Sequence, residues 1–269
     1  MKSFKKKYIL KPIKPNFIDI IRRLKKEPIE FNEFLSLLEI YSDKFYESSE
    51  LEFELLLING FPLDIKDNFV YLRTTNTLIE DQTFCFVDIE TNGGSPSKGH
   101  QVIELGAVKY KNGQIIDKFD SLVYAKEIPS FIQEVTNISP NMLLNAPRVE
   151  KVLKEFKEFL KDDVFVAHDI KFDYNFISQS FEKYSLGKLL NRKLCTIDLS
   201  KRTIKSDKYG LSTLKETLKI DVQNHHRAYY DALTTSKVFD ECLKNIDKNL
   251  IKTTEDLIAF SKSNNILKN

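Results

Sequence analysis

The sequence predicts an α/β domain preceded by a small helical module. Two observations carry that expectation. The apolar spacing is helical up to about residue 60 and then changes to strand-like alternation. From Thr83 onward, buried-strand runs alternate with amphipathic helical runs, the pattern of a sheet covered by helices. A chain of 269 residues with 42% apolar content has room for one catalytic domain and a smaller unit.

The first fifteen residues form a basic arm. Residues 16–80 make the small module, in which NFIDIIRRLKK sets Phe17, Ile20, Ile21 and Leu24 on one helical face. FNEFLSLLEIY does the same with Phe31, Phe34, Leu35 and Leu38. A third helix starts at the N-cap signal Ser48-Ser49 and stops near Gly60. FPLDIKDNFVYLRT then reads as two short strands around a turn at Lys66-Asp67-Asn68. Three helices followed by a hairpin resemble a winged-helix domain in pattern, without a diagnostic motif.

Residues 83–243 make the α/β domain. TFCFVD is a buried strand, and QVIELGAVKY and IIDKFDSLVYA are neighbouring strands joined by a turn at Lys111-Asn112-Gly113. Val149, Val152, Leu153, Phe156, Phe159 and Leu160 recur at helical spacing, and VFVAH is a further short strand. Helices follow at FDYNFISQSFEKY, LSTLKETL and AYYDALTTSKVFDECL. Residues 244–269 read as a short Lys- and Asn-containing tail.

Composition excludes several classes. Cys85, Cys195 and Cys242 are widely spaced, with no Cys-x-x-Cys pair, which argues against a disulfide framework or a structural zinc and favours a cytoplasmic location. Lys11, Pro12, Lys14 and Pro15 interrupt the stretch where a signal-peptide core would lie. No run reaches the ~20 apolar residues of a membrane span, so no membrane partner is expected. A net charge of +2 gives no global case for nucleic-acid binding, but its distribution is uneven. Residues 1–26 hold ten Lys/Arg against one Asp, and residues 27–81 hold three Lys/Arg against thirteen Asp/Glu. The basic arm can contact phosphates or simply be a solvated tail.

Three acidic segments carry the chemistry. Asp88 and Glu90 lie two apart at the end of a strand, where alternate residues face one side, and Thr91, Asn92, Gly93 and Gly94 open a turn after them. Asp173 opens a helix, where a carboxylate also suits the helix dipole. In NHHRAYYDAL, His226 sits on a loop five residues before Asp231 on the next helix. Taken singly, solvated charges or caps explain each of these.

Together, DIETNG at 88–93, HDIKFD at 168–173 and HRAYYDA at 226–232 resemble the His-containing branch of the DEDD family of 3′-to-5′ exonucleases. The resemblance spans about residues 83–243 and includes VIELGAV and GLSTLKETL. Within the family the chain is most similar to the epsilon-type proofreading subunit of bacterial DNA polymerase III. Three positions depart from the family pattern: Asn92 where a second Thr is frequent, Asp169 where Asn is usual, and Thr136-Asn137-Ile138 where His-Gly-Ile is common.

The resemblance implies a ribonuclease-H-like fold with a mixed sheet, and two Mg²⁺ or Mn²⁺ ions ~4 Å apart held by Asp88, Glu90, Asp173 and Asp231. It implies that His226, rather than His225, takes the proton of the attacking water. It also places the backbone of Ile89, Thr91 and Asn92 near the terminal sugar, Ile128 and Phe172 against the last base, and His168 near phosphate or in a supporting role. Core packing explains the two apolar residues equally well. The expected activity is removal of nucleoside 5′-monophosphates from single-stranded or mispaired DNA 3′ ends, as in replicative proofreading with a polymerase subunit as partner. The tail lacks the long polymerase-binding extension of some epsilon subunits. RNA 3′-end trimming, DNA-repair digestion and a polymerase-binding scaffold are the other readings.

Overall fold

The computed structural model describes residues 17–41, 48–222 and 226–263 and resolves into two compact units. The smaller holds the described residues up to Leu55 together with Leu63–Leu72; the larger holds Leu56–Pro62 and the chain from Arg73. In chain order the elements of the first part are α1 (Phe17–Leu24), β1 (Ile29–Glu30), α2 (Phe31–Tyr41), α3 (Ser49–Ile58), β2 (Leu63–Lys66) and β3 (Phe69–Leu72).

The small unit follows the apolar spacing. Ile20, Leu24, Phe34, Leu35 and Leu38 are buried from the predicted helical faces, and the Phe53 ring meets Phe31 and Phe34 edge-on at 5.5 and 5.9 Å. Asp67 and Asn68 both take positive φ, 51° and 66°, as a two-residue hairpin turn requires. Strand β1 was not expected; it pairs Ile29 with Val70 and completes an antiparallel sheet in the order β1-β3-β2.

The larger unit contains β4 (Phe84–Thr91), β5 (Val102–Lys111), β6 (Gln114–Leu122), α4 (Ser130–Thr136), α5 (Pro140–Leu143), α6 (Val149–Leu160) and β7 (Val164–Ala167). It continues with α7 (Ile170–Lys183), β8 (Lys193–Cys195), α8 (Thr196–Thr203), α9 (Leu211–Thr217), α10 (Ala228–Lys244) and α11 (Thr254–Lys262). Its five strands run in the order β6-β5-β4-β7-β8. Strands β4, β5 and β6 pair antiparallel, whereas β7 is parallel to both β4 and β8, so the sheet is mixed.

Alternation along β4 feeds two cores. Cys85, Val87 and Ile89 face a cluster containing Val152, Phe156, Phe176 and Ile177 from α6 and α7. Phe84 and Phe86 face the opposite cluster, with Leu199, Leu214, Val238 and Phe239 from α8, α9 and α10. Strand β7, VFVA, is buried throughout, as a strand covered on both faces must be.

Two boundaries differ from the sequence reading. The described part of the stretch read as a tail, up to residue 263, is more than that: α11 buries Leu257 and Ile258 in the second core and is capped by Thr253, whose side chain accepts from the Asp256 N–H. Residues 73–80 belong to the larger unit rather than to the small module. They are joined to α11 by the Thr254 N–H donating to Thr77 O at 2.9 Å, and by Thr74 donating to the buried Glu255, which also receives Arg192. A short helix behind a Lys/Asp/Asn stretch gives little periodic signal, which is why these contacts are visible only in three dimensions.

Candidate nuclease site

The sheet face beneath α10 changes character along one ladder. Phe84 pairs with Tyr110 and Phe86 with Val108, all buried; two residues on, Asp88 pairs with Gly106 and Glu90 with Glu104. The alternation that buries the phenylalanines therefore aims Asp88 and Glu90 at the same side, just as the strand ends. A register shift between Glu90 and Thr91 closes the regular pairing there.

Asp231 arrives on the first turn of α10. Its N–H donates to Arg227 O at 3.0 Å, one helical turn back. Carboxylate oxygens of Asp88, Glu90 and Asp231 lie within 4.8 Å of one another. Asp173, 4% exposed, comes from the first turn of α7, and its Oδ1 accepts the Ile89 N–H at 3.2 Å. It does not act as the helix cap, because Asp169 occupies the N-cap position.

These carboxyls are held under strong mutual pressure. Burial, then the neighbouring Asp173, Glu90 and Asp231, push the Asp88 carboxyl well above the ordinary range. Burial, followed by the Asp231, Glu104 and Asp173 charges, pushes Glu90 up to about 8, and burial pushes Asp173 up to about 8. An oxygen-only donor set of this kind, in which ionisation is opposed until positive charge arrives, fits a hard divalent cation.

The remaining predicted residues separate into groups. His226 is exposed in the bend leading into α10, with φ 59°, a conformation histidine tolerates better than most residues. His225 lies outside the described residues. His168 is fully engaged: its Nε2 meets the Tyr209 carbonyl at 2.8 Å and therefore donates, which leaves Nδ1 to accept from Thr196 Oγ1 at 2.8 Å. That arrangement, with burial lowering its pKa, makes it a neutral strut between β7 and the segment before α9 rather than a phosphate contact. Ile128, 6% exposed, packs with Ile103, Ala125, Ile138 and Leu143, so core packing accounts for it. Phe172 is 43% exposed on α7 with its ring 5.9 Å from Phe176.

The turn after the acids is closed by short bonds. Asn92 Oδ1 accepts the Gln101 N–H at 2.7 Å while the Asn92 N–H donates to Gln101 O, and Thr91 Oγ1 donates to Gly93 O at 2.8 Å. Ile89 is buried and offers only its backbone. Two of the positions that depart from the family pattern have left-handed backbone. Asp169 has φ 76° and Asn137 φ 57°, a region that Asp and Asn tolerate better than most residues.

Three residues not singled out from sequence shape the site. Glu104 is wholly buried, Arg227 chelates it, and a Cβ on Gly106 would fall 2.0 Å from Tyr229 N. The signal was present as a lone acid within the otherwise apolar run VIELGAV.

A mixed sheet with acids converging at a strand end, from three separated segments, is the arrangement of an exonuclease of the RNase T family, a hydrolase of nucleic-acid phosphodiesters. The chain belongs to this family: the RNase T model, described as exonuclease, matches residues 85–239. Such enzymes use divalent metal ions. Among curated proteins, it is 35% identical over 206 residues to the PolC-type DNA polymerase III of Staphylococcus saprophyticus, covering 76% of this chain and 14% of the polymerase. It is 38% identical over 188 residues to the PolC-type enzyme of Staphylococcus aureus, covering 69% and 12% respectively. The match therefore spans about an eighth of those polymerases. Among solved structures, Exonuclease X in complex with 5′-overhanging duplex DNA aligns with a TM-score of 0.53 and 23% identity, covering 66% of this chain and 99% of that one. The zinc-bound E. coli ExoI complex with single-stranded DNA gives 0.53 at 16%, covering 61% and 40%. Both likenesses are of fold.

Proposed function

We propose that this chain trims single-stranded or frayed DNA 3′ ends in replicative proofreading, with Asp88, Glu90, Asp173 and Asp231 holding two Mg²⁺ or Mn²⁺ ions. The observation that carries the reading is the convergence of three carboxylates within 4.8 Å where strand β4 ends. When bound, such ions supply a Lewis acid for the attacking water and counter-charge for the leaving 3′ oxygen. Asp88, Glu90 and Asp231 would hold the ions directly, and Asp173, whose Oδ1 accepts the Ile89 N–H, would anchor the cluster from α7. His226, exposed on the bend, takes the proton from the water. Phe172 offers an exposed ring for the terminal base, and the turn from Ile89 through Thr91 and Asn92 presents backbone to the terminal sugar. The proofreading assignment is supported by the identity to PolC-type polymerases, whose 206-residue extent exceeds the 85–239 family match. A replicative polymerase subunit is the partner this implies.

The test is digestion of 5′-labelled DNA and RNA oligonucleotides, and of duplexes with paired or mispaired 3′ termini, with Mg²⁺, Mn²⁺ or chelator. Faster metal-dependent shortening of single-stranded and mispaired DNA is the expected outcome. Preference for RNA would move the assignment to RNA trimming, and absence of metal-dependent cleavage would leave a scaffold.

A further inference from the structure

Glu104 is an anomaly for a core strand. It is 0% exposed, stands directly across the ladder from Glu90, and adds a carboxylate to a neighbourhood already crowded with them. Burying such a charge is costly unless it is paired and hydrogen-bonded. Its partners are specific: Arg227 donates through Nε at 2.8 Å and Nη2 at 2.6 Å to Oε1, and the Ala228 N–H donates to Oε2 at 3.0 Å. Arg227 and Ala228 are the N-cap and first residue of α10. The Glu104 carboxylate thus caps α10 from a distant strand, in a position no local residue fills, since Arg227 makes no side-chain cap bond of its own.

Next along β5, Gly106 lets α10 settle against the sheet: a Cβ there would lie 2.2 Å from Ala228 C and 2.4 Å from Tyr229 Cα. Glu104 and Gly106 together determine how far along the strand, and how close to it, the helix begins. Asp231 bonds back to Arg227 O, and His226 is its chain neighbour.

We propose that Glu104 and Arg227 are positioning residues, forming a buried clasp that sets the start of α10 and so aligns Asp231 with Asp88 and Glu90. The inference rests on the metal-site reading above. A lysine in place of Arg227 keeps charge but loses the two-pronged grip, and glutamine in place of Glu104 keeps shape but loses charge.

The full-length chain and its E104Q and R227K variants would be titrated with Mn²⁺ without substrate, following free Mn²⁺ by electron paramagnetic resonance. Thermal melting and single-turnover cleavage at saturating Mn²⁺ would be measured in parallel. The clasp requires Mn²⁺ affinity to fall about 10- to 100-fold in folded E104Q and about 10-fold in R227K. Cleavage should recover in part at saturating metal. A purely structural role would lower the melting temperature and leave the affinity of the folded protein unchanged, and that result would overturn the proposal. If E104Q does not fold, R227K decides: its arginine is one-third exposed, and unchanged affinity there is equally fatal. Absence of Mn²⁺ binding by the unaltered chain would overturn the metal-site reading and the clasp with it, whereas binding with unaltered variants would overturn the clasp alone.

Discussion

The two halves of the β4–β5 ladder beneath α10 differ in chemistry within a few residues. In one half, Phe84, Phe86, Tyr110 and Phe239 pack their rings at centroid distances of 4.9 to 5.8 Å, and Tyr110 donates to Asp240. In the other half, on the same face, Asp88 and Glu90 replace phenylalanine, Glu104 and Gly106 replace valine and tyrosine, and the helix supplies Asp231. The aromatic half supplies burial and directional ring contacts. The acidic half opposes folding unless charge is neutralised. A single helix laid across both transfers the rigidity of the first half to the second, and this is how a repelling set of carboxylates is kept in place.

The comparison is broken most severely at Asp88. D88A should lose metal-dependent cleavage by on the order of 10³-fold or more, as deletion of a group facing developing charge does elsewhere. Its metal-free melting temperature should equal or exceed that of the unaltered chain, because one repelling carboxylate is gone. Retained activity would remove Asp88 from the site.

H226A should slow the single-turnover rate by about 10²- to 10⁴-fold, the range of general-base catalysis, without weakening Mn²⁺ binding. An unchanged rate would show that another group takes the proton.

In the aromatic half the effect should be on stability instead. F239A removes a ring that is 0% exposed and should cost about 3 to 5 kcal/mol in urea denaturation, while the remaining folded protein still cleaves. A loss of catalysis in the folded fraction as large as that of D88A would erase the distinction between the halves.

A smaller effect sharpens it through pH. The Glu90 and Asp173 carboxyls, raised to about 8 from ordinary values of 4.5 and 3.8, keep protons in the folded state that the unfolded chain has released. Their contribution to stability is fully present below the ordinary values and is lost as pH rises through about 8. Melting temperature in chelator should therefore fall over that window, and the increment on adding Mn²⁺ should grow. A flat profile would mean that the acids are better solvated than their burial indicates.

Much of this was legible along the chain because it is local. Period-two spacing placed Asp88 and Glu90 together at a strand end, helical spacing identified the buried face of α6, and Asp67-Asn68 and Asn112-Gly113 marked turns whose residues do take positive φ. Elements with weak periodic signal were missed, including β1, the short strand β8 and the docked helix α11. For His168 and Ile128, residue type left a structural and a substrate role equally open. Only their partners, Thr196 and Tyr209 for one and an isoleucine-rich cluster for the other, separate the two.

The sequence by itself determined the family, the strand and helix that carry Asp88, Glu90 and Asp231, and the kind of ligand that carboxylates accept, because these follow from residue identity, order and local period. Tertiary structure alone decided that a glutamate from β5 would cap α10, that Gly106 would admit the helix backbone, and that the chain beyond Leu243 would return to the core. Each of those depends on contacts between residues more than a hundred positions apart, where local spacing carries no information.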